Sequence, residues 1–337
     1  MKPASTRENS IRIIGKTTPT DAALQSIISL CHPVAALTKS LTIWLLGDGK
    51  PGHENQASGL ADAISRLQPC EVHRISLAGK RGLFRRVQAA SRASTDFPKP
   101  DLIIGAGHAT HLALLWLAQK YQARGIVLMK PSLPLAWFDL CIIPAHDFKT
   151  TPRQQNIIVT QGALNRVTPP DAAVRTGGLI LIGGPSGIHG WDGETLLRDL
   201  TAISIRGNWQ LTDSRRTPAE FVQEIKKRLP RIEIFSHQDT SPEWLPAKLA
   251  TAAEVWVTED SVSMVYEALS SGASVGLLEV LRTQPDSRVL RGLGVLISEG
   301  FLTPFADWEK TRTLNAPPSI LREADRCAEA VVRKFRF

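Results

Sequence analysis

The sequence predicts an α/β protein of two parallel-sheet domains facing a cleft. Three observations predict it. The chain has 337 residues, more than one core usually supports. Apolar runs of strand length alternate with longer helical stretches, first over 41–160 and again over 178–278. One segment, residues 254–278 (EVWVTEDSVSMVYEALSSGASVGLL), shows the repeating unit in full. It reads as an apolar strand, a polar turn, a helix with an apolar stripe (Val262, Met264, Val265, Ala268, Leu269), a glycine stop at Gly272 and a second apolar strand. That is one βαβ unit. Ligands of such sheets bind at the carboxyl ends of strands, beside helix N-termini. Asp260, Ser261, Ser263 and Met264 lie there. Glu267 follows about two turns into the helix, where a carboxylate can accept hydrogen bonds from a sugar diol.

The elements follow in order. Residues 1–40 are polar, then weakly amphipathic from Ala22 to Leu37 with a break at Pro33, and carry no hydrophobic segment of a signal peptide. They are expected to be a disordered extension. Residues 41–162 form the first domain, with strands at 41–46, 71–77, 101–105, 125–129, 138–143 and 157–160 and helices notably at 54–67 and 109–122. Residues 163–177 are rich in proline and polar residues and read as a linker. The second domain, 178–337, has strands near 178–183, 208–211, 231–235, 254–257 and 273–278, with helices at 193–205, 217–229 and 262–271. A final helix over 318–335 is expected to pack back on the first domain.

Composition narrows the function classes. A net charge of +8 favours an anionic partner, such as nucleotide phosphate or an anionic lipid surface. Nucleic acid is not expected, because no basic run is interleaved with aromatics. Cys31, Cys70, Cys141 and Cys327 are far apart and form no CxxC pair, which points to reduced thiols in the cytoplasm. No apolar run reaches the roughly 18 residues of a membrane span.

Several turns carry chemistry-bearing residues. The first strand runs into GDGKPGHENQ, 47–56, where His53 is a candidate general base, Asp48 a second candidate, and Lys50 a point charge. The spacing is not that of a P-loop. The third strand runs into GAGHATH, whose Gly105 and Gly107 lack the third glycine of a dinucleotide fingerprint. There His108 and His111 share a helix face, but without a carboxylate at ligand spacing no metal site is expected. In the second domain, LIGGPSGIHGWD offers Gly184 and Ser186 in a small-residue loop. LTDSRRTP follows the next strand, with Ser214, with Arg215 or Arg216 placed to grip phosphate, and with Thr217 expected as an N-cap before Pro218.

GDGKPGHENQ, DLIIGAGHAT, FDLCIIPAHD, LIGGPSGIHGW, TDSRRTP and TEDSVSMVYEA, in that order, resemble the bacterial branch of the Elm-type mitochondrial-fission family. The resemblance covers about residues 41–310. It implies a GT-B-like fold of two Rossmann-like domains, and a glycosyltransferase serving O-antigen or lipopolysaccharide-type acceptors of the cell envelope. The second domain also resembles the donor domain of the N-acetylglucosaminyltransferase of peptidoglycan synthesis. There a segment of the form SGALTVSE ends in a glutamate that holds the donor ribose, and SVSMVYE places Glu267 at that position. A GGxGGH motif of that enzyme is similar to GDGKPGH and places His53 at its histidine, although Asp48, Lys50 and Pro51 depart from it. The resemblance therefore implies a nucleotide-sugar co-substrate on the second domain, with no cofactor and no metal. It puts Lys50, Asn55, Gln56, Gly107 and His108 on the acceptor side. The expected setting is cytoplasmic, peripheral on the inner face of the membrane, with a glycolipid or glycan acceptor. Two rivals remain open. A nucleotide-sugar epimerase would need a nicotinamide and a Tyr-x-x-x-Lys pair, which neither Tyr121 nor Tyr266 provides. A non-catalytic membrane-surface scaffold would bind lipid regardless of Glu267.

Overall fold

The computed structural model describes residues 40–80, 82–148, 150, 152–169, 175–284 and 287–337. The extension expected over 1–40 lies outside them, apart from Ser40. Twelve strands form two six-stranded sheets among the described residues. The first comprises β1 (Leu41–Gly47), β2 (Cys70–Ser76), β3 (Leu102–Ala106), β4 (Arg124–Leu128), β5 (Leu140–Pro144) and β6 (Ile157–Thr160), in the order β2-β1-β3-β4-β5-β6. The second comprises β7 (Gly178–Leu181), β8 (Trp209–Thr212), β9 (Ile232–Phe235), β10 (Glu254–Thr258), β11 (Ser274–Leu278) and β12 (Leu302–Pro304), in the order β12-β11-β10-β7-β8-β9. Every named strand pairing is parallel.

Parallel sheets are covered on both faces, so their central strands are apolar throughout. Both β3 and β5 are buried at every position. Alternation then sorts each strand between two cores. Ile43 and Leu45 face α1 (Pro51–Leu67), while Trp44 and Leu46 face the side holding α2 (Leu83–Ala93) and α3 (His111–Tyr121). In the second sheet, Val255 and Val257 face α6 (Trp244–Thr251), α7 (Val262–Ser271) and α8 (Arg288–Ser298). On the other face Trp256 meets α4 (Gly193–Ser204), α5 (Ala219–Arg228) and α9 (Phe305–Thr311). The two-sheet α/β architecture expected from the sequence is the one found.

Element ends differ from expectation at informative places. Helix α1 starts at Pro51, not near Glu54, because Lys50 is the extended N-cap and proline fits the first helical turn. Thr217 does not cap α5. Pro218 holds the N-cap position, and the Thr217 hydroxyl donates instead to the carbonyls of Ile182 (3.1 Å) and Gly183. The last helix, α10 (Glu323–Phe335), begins later than 318. Leu321, just before it, is buried in the second sheet's core, while Cys327, Ala328 and Val331 are buried in the first sheet's core against α1. An Arg66–Asp325 ion pair links the two helices.

The strand orders locate the sites. In each sheet the connections reverse direction once. The reversal lies between β1 and β3 in the first sheet and between β7 and β10 in the second. In open α/β sheets the crevice at such a switch point is where ligands bind.

Candidate functional site

At the first switch point the turn after β1 carries Asp48, and α1 carries His53 in its first turn. The Asp48 carboxylate meets His53 Nδ1 at 2.9 Å, with the Asp48 side chain buried and that of His53 20% exposed. An aspartate on Nδ1 fixes the tautomer and leaves Nε2 as the nitrogen able to take a proton. The same carboxylate accepts from the Lys50 backbone N–H at 3.1 Å. Gly107, at the end of β3, has φ +85°, and a Cβ there would stand 2.3 Å from His53 Nδ1 and 3.0 Å from Asp48 Oδ2. The third-strand glycine is thus the floor under the pair. The two residues read from sequence as alternative bases form one unit.

Other acceptor-side candidates spread around it. Lys50 is exposed. Gln56 is buried and donates to Met129 Sδ at 3.4 Å. His108 is exposed beside Ser132 (Nδ1–Oγ 3.2 Å). His111 is a core residue. Its ring packs on Phe138, burial pushes its pKa down to about 4, and both ring nitrogens lack partners among the described residues. Among the described residues no group of three or more His, Cys, Asp or Glu could hold a metal ion.

At the second switch point the β7 exit lies against the β8 and β10 exits. Gly183 N–H donates to Thr258 Oγ1 at 2.7 Å, and Gly184 N–H donates to Asp260 Oδ2 at 2.8 Å. Neither glycine tolerates a side chain: a Cβ would meet the Asp260 carboxylate at 2.1 Å or the Arg216 carbonyl oxygen at 2.1 Å. Arg216 reaches Asp260 Oδ2 at 2.7 Å and also donates to the carbonyls of Gly184 and Pro185. Its guanidinium is therefore engaged in holding the loop. Arg215 is exposed, without a partner among the described residues, and lines a cavity of about 560 Å³ with Ser214 and His237. Ser214 itself meets the Thr217 hydroxyl at 3.1 Å.

Among the described residues, two buried polar atoms of this loop layer have no partner, Asp260 Oδ1 and His189 Nε2. Such atoms are rare in native structures and call for a missing ligand or water. Ser186 Oγ meets His189 Nδ1 at 3.2 Å. Burial lowers the pKa of His189, while Glu259 and Asp260 oppose the shift. Beneath the loop, buried Glu259 is held by Arg282 at 2.6 Å. Ser261 occupies the N-cap of α7 without a side-chain capping bond, so the first-turn N–H groups point outward with no intrahelical partner. Ser263 is exposed and Met264 half-buried on that turn.

The two switch points face each other. Asn55 of α1 donates to Glu267 Oε1 of α7 at 2.6 Å across 212 residues of sequence. Burial pushes the Glu267 carboxyl up to about 7, with the Asn55 bond working against the shift. Asn165 donates to Ser270 Oγ at 2.9 Å and further ties α7 to the segment after β6. Sequence reasoning placed Asn55 and Glu267 on opposite sides of a cleft but not in contact. It missed His189 and the His237–Asp213 pair (Nδ1–Oδ1 2.8 Å), because neither follows a recognised spacing.

The family model described as Mitochondrial fission ELM1 matches residues 51–335. An uncharacterized protein of Rickettsia prowazekii (strain Madrid E) is 24% identical over 297 residues, covering 69% of this chain and 81% of that one. Among solved structures, one described as a UDP-N-acetylglucosamine 2-epimerase from Listeria monocytogenes superposes with a TM-score of 0.57 at 13% identity, over 88% of this chain and 97% of that one. MurG of Acinetobacter baumannii superposes with a TM-score of 0.50 at 13% identity, over 88% and 99%. At such identity these likenesses speak for the fold alone, and that fold is GT-B-like. Since the family model spans most of its length, the chain belongs to the Mitochondrial fission ELM1 family.

Proposed function

We propose that the protein is a glycosyltransferase that moves a sugar from a nucleoside diphosphate donor to an acceptor hydroxyl. The observation that carries the reading is the Asp48–His53 pair at one switch point, tied by the Asn55–Glu267 bond to α7, the helix that follows the β10 exit at the other. In this reading the donor lies on the β7 and β10 exits. Glu267 accepts from the ribose hydroxyls. The outward N–H groups of α7 and the Arg215 side chain take up charge that develops on the leaving diphosphate. His53 Nε2 accepts the acceptor proton as its oxygen bonds to the sugar carbon, and Asp48 stabilises the imidazolium. Arg216 holds the loop through Asp260.

The acceptor is proposed to be a cell-envelope glycan or glycolipid of the lipopolysaccharide type, met at the inner membrane face. The net charge of +8 supports surface attraction. Among the described residues no helix is long and apolar enough to cross a membrane. UDP-sugars are the first donors to test, given what the Listeria protein is described as acting on.

The test is turnover of a nucleotide-sugar panel by wild type and His53→Ala. A loss of about 10²–10⁴-fold with donor affinity kept is expected for a general base. Wild-type turnover in the variant would overturn the assignment. A second reading, epimerisation of the donor, uses the same pair to take a carbon-bound proton. It predicts deuterium incorporation into the sugar from heavy water without any acceptor, where the transferase reading predicts none.

A further inference from the structure

From Val72 to Thr95 the chain carries Arg74, Lys80, Arg81, Arg85, Arg86 and Arg92 and not one acidic residue. Helix α2 presents much of this charge. On its inward side Ala90 is buried in the core and Val87 is half-buried. Phe84, Arg85, Gln88 and Arg92 are exposed. Residues four apart share a helix face, so Phe84, Gln88 and Arg92 form one outward stripe with Arg85 beside it. Phe84 is 89% exposed. A second aromatic and cation border the stripe. On α3, Lys120 Nζ lies 4.9 Å from the centre of the Trp116 ring and 3.4 Å from Ser91 Oγ of α2. Ahead of α2, Arg86 Nε donates to the Lys80 carbonyl at 2.9 Å. Among the described residues Lys80, Arg85, Arg86, Arg92 and Lys120 have no carboxylate partner.

This surface adjoins the proposed reaction centre. The carboxyl end of β2 lies against that of β1: Leu77 N–H donates to the Gly47 carbonyl at 2.8 Å, and a Cβ on Gly49 would stand 2.9 Å from Ala78 Cβ. Asp48 lies between those two glycines. The first turn of α2, with Phe84 and Arg85, therefore stands at the same end of the sheet as the Asp48–His53 pair.

We propose that the outward face of α2 lies on an anionic lipid surface, with Phe84 in the acyl boundary and the cations among the headgroup phosphates. This names the membrane-facing surface for the transferase reading and rests on that reading for its role in meeting an acceptor, though not for the binding itself. Aromatic rings flanked by Lys and Arg suit the headgroup boundary, because the ring leaves water while the charges stay in it. A soluble anion would use the cations and leave the Phe84 ring wet. A neutral bilayer would take the ring and leave the cations unmatched. Each basic residue near an anionic surface adds about fivefold in partitioning, and salt screens the effect.

The experiment is sedimentation of the full chain with vesicles of phosphatidylcholine and of phosphatidylcholine mixed with phosphatidylglycerol. The mixed vesicles should pull the protein down at low salt and release it at high salt. Phe84→Ser should weaken partitioning at least about tenfold, and Phe84→Leu should restore most of it. Arg85→Gln with Lys80→Gln should also weaken it at least about tenfold. All these side chains are exposed, so melting temperatures should stay at the wild-type value. Equal recovery with neutral and mixed vesicles, or partitioning unmoved by both the Phe84→Ser and the double variant, would overturn the proposal. A single-stranded oligonucleotide binding more tightly than the mixed vesicles, with Phe84→Ser leaving vesicle recovery unchanged, would replace lipid with nucleic acid. The variants should keep wild-type nucleotide affinity. Nucleotide failing to bind while vesicle binding follows the variants as stated would sink the transferase reading and leave the lipid-facing surface standing.

Discussion

Replacing Glu267 by glutamine should raise stability and lower nucleotide binding at once. Burial pushes this carboxyl from 4.5 up to about 7. A shift of that size corresponds to roughly 3 kcal/mol, at about 1.4 kcal/mol per pH unit. The sign follows from linkage. Between pH 4.5 and 7 the folded chain holds a proton that the unfolded chain has released, so stability from this group falls as pH rises across that window. Above pH 7 the charged form bears the whole cost of desolvation. Glutamine keeps an oxygen for the Asn55 donor at 2.6 Å and carries no charge to desolvate. The melting temperature of Glu267→Gln relative to wild type should therefore climb by several degrees between pH 5 and pH 8. Nucleotide affinity should fall at least about tenfold, because a charge-assisted bond to ribose is lost. Stability gained as binding is lost is the signature of a group retained for function. A melting difference that stays flat from pH 5 to 8 would refute the desolvated carboxylate.

Three other outcomes follow from the geometry. Asp48→Asn should cut turnover less than His53→Ala does, leave donor affinity unchanged and alter the pH–rate profile, since it frees the tautomer that Asp48 fixes. Gly184→Ala should disrupt the donor loop, because its Cβ would stand 2.1 Å from the Arg216 carbonyl oxygen; calorimetry should show weakened nucleotide binding. Deleting residues 323–337 uncovers the α1 face that Cys327, Ala328 and Val331 bury, and should lower the melting temperature by more than about 10 °C.

Much of the fold was legible because the signals are local. Each strand of a parallel sheet is a short apolar run, and each helix between strands carries its own stripe. Strand order is not local, so the switch points that single out the β1, β3, β7 and β10 exits could not be read from the chain. Nor could the Asn55–Glu267 bond, which spans 212 residues. The Asp48–His53 pairing was hidden for a smaller reason. With the helix read as starting near Glu54, both residues sat in one loop as alternatives. The start at Pro51 turns His53 back onto Asp48. Arg216 shows the opposite limit. Its position beside a helix start suggested a phosphate grip, but its guanidinium is engaged by Asp260 and two carbonyls, leaving Arg215 as the outward cation.

The account's central claim is that the β7 and β10 exits hold a nucleoside diphosphate opposite the Asp48–His53 pair. Calorimetric titration with the ribonucleoside diphosphates UDP, GDP, CDP and ADP in the presence of EDTA tests it most directly. One of these should bind with chelator present, at least about tenfold more weakly to Glu267→Gln and with unchanged affinity to His53→Ala. Binding of none of the four, or equal affinity of wild type and Glu267→Gln, would contradict the claim.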